Sequence, residues 1–67
     1  MKAVVTGAGA GLGASIAERL ASEGYVVALL DQDGDAASRS AEGLTGASAF
    51  QVDVSNPEQV ADVFSRI

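Results

Sequence analysis

Between Thr6 and Ala14 the chain reads Gly7-Ala8-Gly9-Ala10-Gly11-Leu12-Gly13, four glycines in seven residues. Lys2–Thr6 before it reads as a short apolar strand. Gly11–Glu23 after it carries the spacing of an amphipathic helix, with Leu12, Ile16 and Leu20 recurring every four residues beside Ala17 and Ala21. A turn without Cβ atoms can reverse sharply and approach another group closely. A helix that starts inside the turn aims its free N–H groups and the positive end of its dipole into it, which makes a site for phosphate. An ordinary strand-to-helix turn needs far fewer glycines. The segment therefore reads as a pyrophosphate cradle.

The spacing separates this turn from other phosphate loops. A P-loop places lysine directly after its second conserved glycine, five residues beyond the first. Here Leu12 stands five residues after Gly7 and Ala14 five after Gly9, with no lysine beside either. The Gly-x-Gly-x-x-Gly pattern fails from Gly7, where Leu12 holds its third place, and fits from Gly9 only with Ala14 in that place. Thr-Gly-x-x-x-Gly-x-Gly is met in full by Thr6, Gly7, Gly11 and Gly13.

The rest of the chain continues the alternation. Tyr25–Leu30 is an unbroken apolar run, as expected of a strand covered on both faces of a parallel sheet. Asp31–Asp35 is a polar turn, Ala36–Leu44 a weaker helix with Ala37, Ala41 and Leu44 on one face, and Ser48–Val52 a third strand. Ser55 and Glu58 have capping-box spacing, and Pro57 suits a first helical turn. Val60, Val63, Phe64 and Ile67 then form one apolar face. The order β-α-β-α-β-α predicts an α/β fold with parallel strands. Right-handed crossovers place the strands in the order 3-2-1, with the first two helices on one face. The third helix must cross to the other face to bury Val60, Phe64 and Ile67. Such a crossover leads to a fourth strand beside the first, which lies outside these residues.

Asp31 ends the second strand, 18 residues after Gly13. A dinucleotide-binding fold places an acidic residue about 20 residues on, where it accepts hydrogen bonds from the adenosine ribose. A carboxylate repels a 2′-phosphate, and neither Ala10 nor Gln32 is basic, which points to NAD over NADP. On its own Asp31 would equally solvate the following turn; the glycine turn at the right distance favours the ribose role. Calcium is a poor rival for the same acids. Asp31, Asp33, Asp35 and Glu42 match positions of a calcium loop, but Ala36 stands where that loop needs glycine, and the preceding segment is strand-like. Asp53-Val54 follows the third strand at the same edge. Two roles are open to Asp53: accepting a hydrogen bond from the adenine amino group, with the Val54 backbone nearby, or serving as a turn aspartate ahead of a helix cap.

Composition narrows the class. The 67 residues include no Cys and no His, which excludes a disulfide framework and a zinc site. A net charge of −5 argues against non-specific binding to nucleic acid or to an anionic membrane. After Met1-Lys2 the apolar run ends at Thr6-Gly7, too short for a signal peptide. A soluble, cytoplasmic protein is expected. With 13 of the apolar residues being alanine, the chain alone offers a small core, and marginal stability is expected of it in isolation.

Thr6-Gly7-x-x-x-Gly11-x-Gly13, Asp31 and Asp53-Val54 together resemble the amino-terminal part of the short-chain dehydrogenases/reductases, and the likeness runs along the whole chain. It implies a partial Rossmann-type, three-layer α/β/α architecture in which residues 1–67 are the first part of a single NAD(P)-binding domain. It also implies that Gly7, Ala10, Gly11, Leu12 and Gly13 line the pyrophosphate, Asp31 and Gln32 face the ribose, and Asp53 and Val54 face the adenine. The implied activity is NAD-dependent hydride transfer to or from an alcohol or ketone, with the full-length protein a homo-oligomer. The family's catalytic Ser, Tyr and Lys would lie beyond Ile67. Tyr25 has Leu29 four places on where the family has lysine, and Lys2 lies at the far end of its strand, so no residue here is assigned a catalytic role. The alternative is a self-standing nucleotide-binding module without chemistry.

Overall fold

In the computed structural model, which describes residues 1–67, the apolar run becomes the central strand of the sheet. The elements are β1 (Lys2–Thr6), α1 (Gly11–Ser22), β2 (Val26–Asp31), α2 (Gly34–Ala41), β3 (Ser48–Gln51) and α3 (Pro57–Arg66). All strands are parallel, in the order β1-β2-β3. Val5 pairs with Leu29, and Leu30 pairs with Phe50. This is the expected 3-2-1 arrangement, a partial Rossmann-type α/β fold.

Because strand side chains alternate, β2 feeds two cores. Val27 and Leu29 join Val5, Ala8 and Ala17 on one face, with Leu20, Ala41 and Leu44 packed around them. Ala28 and Leu30 join Val52 and Val63 on the other, with Phe50, Val60 and Ile67 against them. The helices α1 and α2 thus cover one face and α3 the other. Burial on both faces explains why this strand reads as a continuous apolar run.

Several local expectations are corrected. Leu12 and Ile16 do not join the buried stripe of α1; Leu12 is 77% exposed and Ile16 43%. The buried face is instead Ala17 with Leu20 and Ala21, because a small residue at the point of closest approach lets the helix lie tightly on the sheet. Helix α2 begins at Gly34, two residues early, since the Asp33 side chain accepts from the Ala36 N–H and caps it there (3.0 Å). It ends at Ala41, where Glu42 turns out of the helix at ψ 133°, and Leu44 reaches the core from the following turn. Strand β2 starts at Val26, with Tyr25 half-buried ahead of it. Strand β3 stops at Gln51, although the buried Val52 still donates its N–H to the Asp31 carbonyl (2.9 Å).

The cap of α3 is Asn56, not Ser55. The Asn56 side chain accepts from the N–H groups of Glu58 (3.0 Å) and Gln59 (3.2 Å), directly ahead of Pro57. The Ser55 hydroxyl points instead at Asp53 Oδ1, to which it donates (2.6 Å). Phe64, expected to be buried, is 56% exposed. The stripe of α3 that meets the sheet is Val60, Val63 and Ile67, which puts Phe64 about 100° around the helix from Val63. Val4, on the same side of the sheet as Ala28, is also partly exposed. No helix is long and apolar enough to cross a membrane.

Leu29 is fully buried in the central strand, whereas Leu12 is solvated. Leu29→Ala is expected to cost about 2–5 kcal/mol, and Leu12→Ala within about 0.5 kcal/mol in the ligand-free protein. Urea midpoints at unchanged slope measure both.

Candidate functional site

In a parallel sheet all strands end at one edge. The glycine turn after β1, Asp31 at the end of β2 and Asp53 beyond β3 therefore share it. The turn is built by close contact. Gly7 and Gly11 sit at φ 64° and 60°, the left-handed region that favours glycine. A Cβ on Gly13 would lie 2.1 Å from the Gly7 carbonyl oxygen. Only a bare Cα lets the first turn of α1 tuck against the end of β1. Between them Ala8 is fully buried and donates its N–H to the Leu30 carbonyl (3.1 Å), tying the turn to β2.

The start of α1 is left open. Its N-cap, Ala10, has no side chain that can accept, and the first turn holds no acidic residue. The N–H groups of Gly11, Leu12 and Gly13 accordingly have no acceptor within the chain. The other two helices differ: Asp33 caps α2 and Asn56 caps α3. A Cβ built on Gly7 or Gly11 meets nothing within 4 Å, so space lies open over the turn.

Asp31 faces this turn. Its Oδ2 accepts from the Gly9 N–H (2.8 Å) and its Oδ1 from the Asp33 N–H (2.9 Å). These donors, Asp33 foremost and then Gly9, hold the carboxyl below its ordinary pKa, with a smaller contribution from the Gln32 N–H, against a slight opposing effect of burial. A carboxylate has about four lone-pair positions, so two bonds to the backbone leave acceptor capacity on both oxygens.

Asp53 is held differently. Its Oδ1 accepts from the Ser55 hydroxyl (2.6 Å) and the Ser55 N–H (2.9 Å), and its own N–H donates to Gln59 Oε1 (2.9 Å). The Ser55 hydroxyl first, then the Ser55 N–H and the Gln32 side chain, keep this carboxyl below its ordinary value as well. Gln32, Gln51, Asp53 and Gln59 line one open polar cleft, and Gln51 Nε2 donates to the Gln32 carbonyl (3.2 Å). Gln32 and Asp53 are thus brought together, while Val54 is exposed beside them. No three His, Cys, Asp or Glu side chains converge on a common point that could hold a metal ion. Lys2 lies at the opposite end of β1, its Nζ donating to the Ile67 carbonyl (3.1 Å).

Comparison with known proteins identifies the family. Residues 1–67 match the short chain dehydrogenase family from end to end. The chain belongs to the short-chain dehydrogenase/reductase family. It is 42% identical over 82 residues to the (3R)-3-hydroxyacyl-CoA dehydrogenase of Mus musculus, an alignment covering 96% of this chain and 32% of that protein. A 3-ketoacyl-(acyl-carrier-protein) reductase from Brucella melitensis, solved with NADH, superposes with a TM-score of 0.93 at 33% identity, over 97% of this chain and 27% of that one. A short-chain dehydrogenase/reductase from Burkholderia phymatum, solved with NAD, gives 0.92 at 36% identity, over 97% and 25%. The chain therefore spans about a third or less of the length of these relatives.

Within this family segment, Gly9 and Ser40 escape a reading by motif. Gly9 sits in a variable place of the glycine pattern, yet its N–H is what reaches Asp31. Ser40 Oγ donates to the Gly9 carbonyl from α2 (3.0 Å). A hydroxyl among alanines on a short helix gives no sign in sequence that it contacts a turn 31 residues away.

Gly13→Ala is expected to destabilise by about 1–3 kcal/mol or more through overpacking against the Gly7 carbonyl, measured by chemical unfolding. The lowered carboxyls set a pH dependence. Asp31 and Asp53 contribute stability that is fully present above the ordinary aspartate range, near pH ~4, and is lost as pH falls through their lower folded values. Thermal melts should show wild type and Asp31→Asn differing by a constant amount between pH ~5 and ~7 and converging below pH ~4.

Proposed function

We propose that this chain is the amino-terminal, dinucleotide-binding part of an NAD-dependent oxidoreductase that interconverts an alcohol and a ketone. One observation carries the reading: α1 alone among the three helices starts without a cap, and it does so under open space, with three N–H groups free. Such groups are satisfied by an anion from outside, and the dipole favours it. Gly7, Ala10, Gly11, Leu12 and Gly13 form the rim on which a pyrophosphate would rest.

The remaining residues sort by distance from that rim. Asp31, tied to Gly9, would accept the hydroxyls of the adenosine ribose, with Gln32 beside it. Asp53, with the backbone of Val54, would take the adenine at the polar cleft. In this reading the Asp31 carboxylate would repel the 2′-phosphate of NADP, and neither Ala10 nor Gln32 brings a compensating positive charge. The two solved relatives described above hold NADH and NAD, which supports the same preference. When bound, NAD supplies the hydride-accepting ring; this segment's part is to hold the adenosine half and to exclude the phosphorylated cofactor. Proton transfer would fall to residues beyond Ile67.

Titration of the full-length protein with NAD and NADP tests this. NAD is expected to bind more tightly, and Asp31→Ala to weaken NAD by about tenfold or more, as expected for losing hydrogen bonds to a charged acceptor. Tighter binding of NADP by the wild type would overturn the reading.

A further inference from the structure

We propose that Gly9 and Ser40 form a positioning pair that fixes the Asp31 carboxylate and thereby sets the discrimination between ribose and 2′-phosphorylated ribose. The inference rests on the ribose role proposed for Asp31. Gly9 is held on both sides: the peptide before it donates through the Gly9 N–H to Asp31 Oδ2 (2.8 Å), and the peptide after it accepts at the Gly9 carbonyl from Ser40 Oγ (3.0 Å). Fixing both peptides fixes the direction of the N–H, and the N–H fixes one carboxylate oxygen. The Asp33 N–H holds the other. The plane of the carboxylate is then determined by backbone groups before any ligand arrives.

Close packing points the same way. A Cβ on Gly9 would lie 2.8 Å from Asp31 Oδ2, 3.0 Å from Asp31 Cγ and 2.8 Å from the Ala36 Cβ. Ala36 is buried on α2, so a methyl at Gly9 would both press on that helix and displace the carboxylate. Gly9 is not among the residues with positive φ. Alanine there is compatible with the backbone and acts through its contacts with Asp31 and Ala36. Ser40 lies on α2, the helix that Ala36 belongs to, so one helix supplies both the hydroxyl that anchors the turn and the methyl that walls it in.

The test compares Kd for NAD and for NADP in the full-length protein and its Ser40→Ala, Ser40→Thr, Gly9→Ala, Ser38→Ala and Asp31→Ala variants, with melting temperatures recorded for each. Ser40→Ala and Gly9→Ala are each expected to lower the ratio of the NADP to the NAD constant by about threefold or more. Ser40→Thr, which keeps the hydroxyl, should restore the ratio, and Ser38→Ala on the exposed side of α2 should leave it unchanged. If Gly9→Ala fails to fold, Ser40→Ala decides, because alanine suits a helix position. A uniform fall in both affinities with the ratio preserved would show a merely structural role and overturn the proposal. A ratio that collapses in Asp31→Ala but holds in Ser40→Ala and Gly9→Ala would overturn the pairing while leaving the role of Asp31 intact. An unchanged ratio in Asp31→Ala would overturn both.

Discussion

The chain must turn from β1 into α1 within four residues and still bring the helix against the end of the strand. The 2.1 Å that would separate a Gly13 Cβ from the Gly7 carbonyl shows how little room there is. Much else follows from this contact. With α1 drawn in so closely, its sheet-facing surface is built from Ala17, Ala21 and the half-buried Leu20, and bulkier Leu12 and Ile16 are turned outward. With the turn so short, Ala10 takes the cap position and brings no acceptor. The open helix start is a cost of order 1 kcal/mol in the free protein, and it falls at the place where an anion can offset it.

Legibility from sequence followed the range of the physics. The doubly buried strand, the parallel order and the glycine turn were readable because each is dictated by a local pattern: an apolar run, an alternation of elements, a spacing of residues without side chains. Rotation about a helix axis was not. Of the expected stripe, Leu20, Ala17 and Ala21 face the sheet while Leu12 and Ile16 turn outward, because spacing in sequence does not say which edge of a broad apolar stripe the helix seats on. Phe64 failed for a related reason, since Val60, Val63 and Ile67 make an equally regular stripe and only the seating of α3 decides between them. Ser55 matched a capping pattern but lost to Asn56, because Asp53 two residues back captured its hydroxyl and its N–H. At the site, Asp31 was visible from its distance to the turn. Gly9 and Ser40 were not, because their contacts join residues 22 and 31 positions apart.

The two faces of the sheet are unequally finished. On the α1–α2 side Ala8, Ala17, Val27, Leu29 and Ala37 are all buried. On the α3 side the core is closed over β2 and the residue following β3, but Val4 on β1 is 40% exposed, as is much of Phe64. Burial thus falls off toward the β1 edge, whose outer backbone groups have no strand beside them. The carboxyl edge does not share this deficit. The turn, Asp31 and Asp53 draw their geometry from the carboxyl ends of all three strands and the starts of α1, α2 and α3, and the buried Ala8 and Val52 show that this end of the fold is packed.

The acceptors at that edge illustrate how turn building and ligand readiness coincide. Asp31 and Asp53 each serve the backbone two residues ahead, Asp33 and Ser55, in the manner of turn aspartates. That role occupies part of the carboxylate and so reads at first as an alternative to ligand binding. It has the opposite effect on chemistry. Main-chain donors to Asp31, and the Ser55 hydroxyl and N–H to Asp53, favour the ionised carboxylates while leaving lone pairs free, so a hydroxyl or amino group arriving from a ligand would meet an acceptor already oriented by folding. The two roles first open to Asp53 are therefore compatible, and the turn is what would make the acceptor usable.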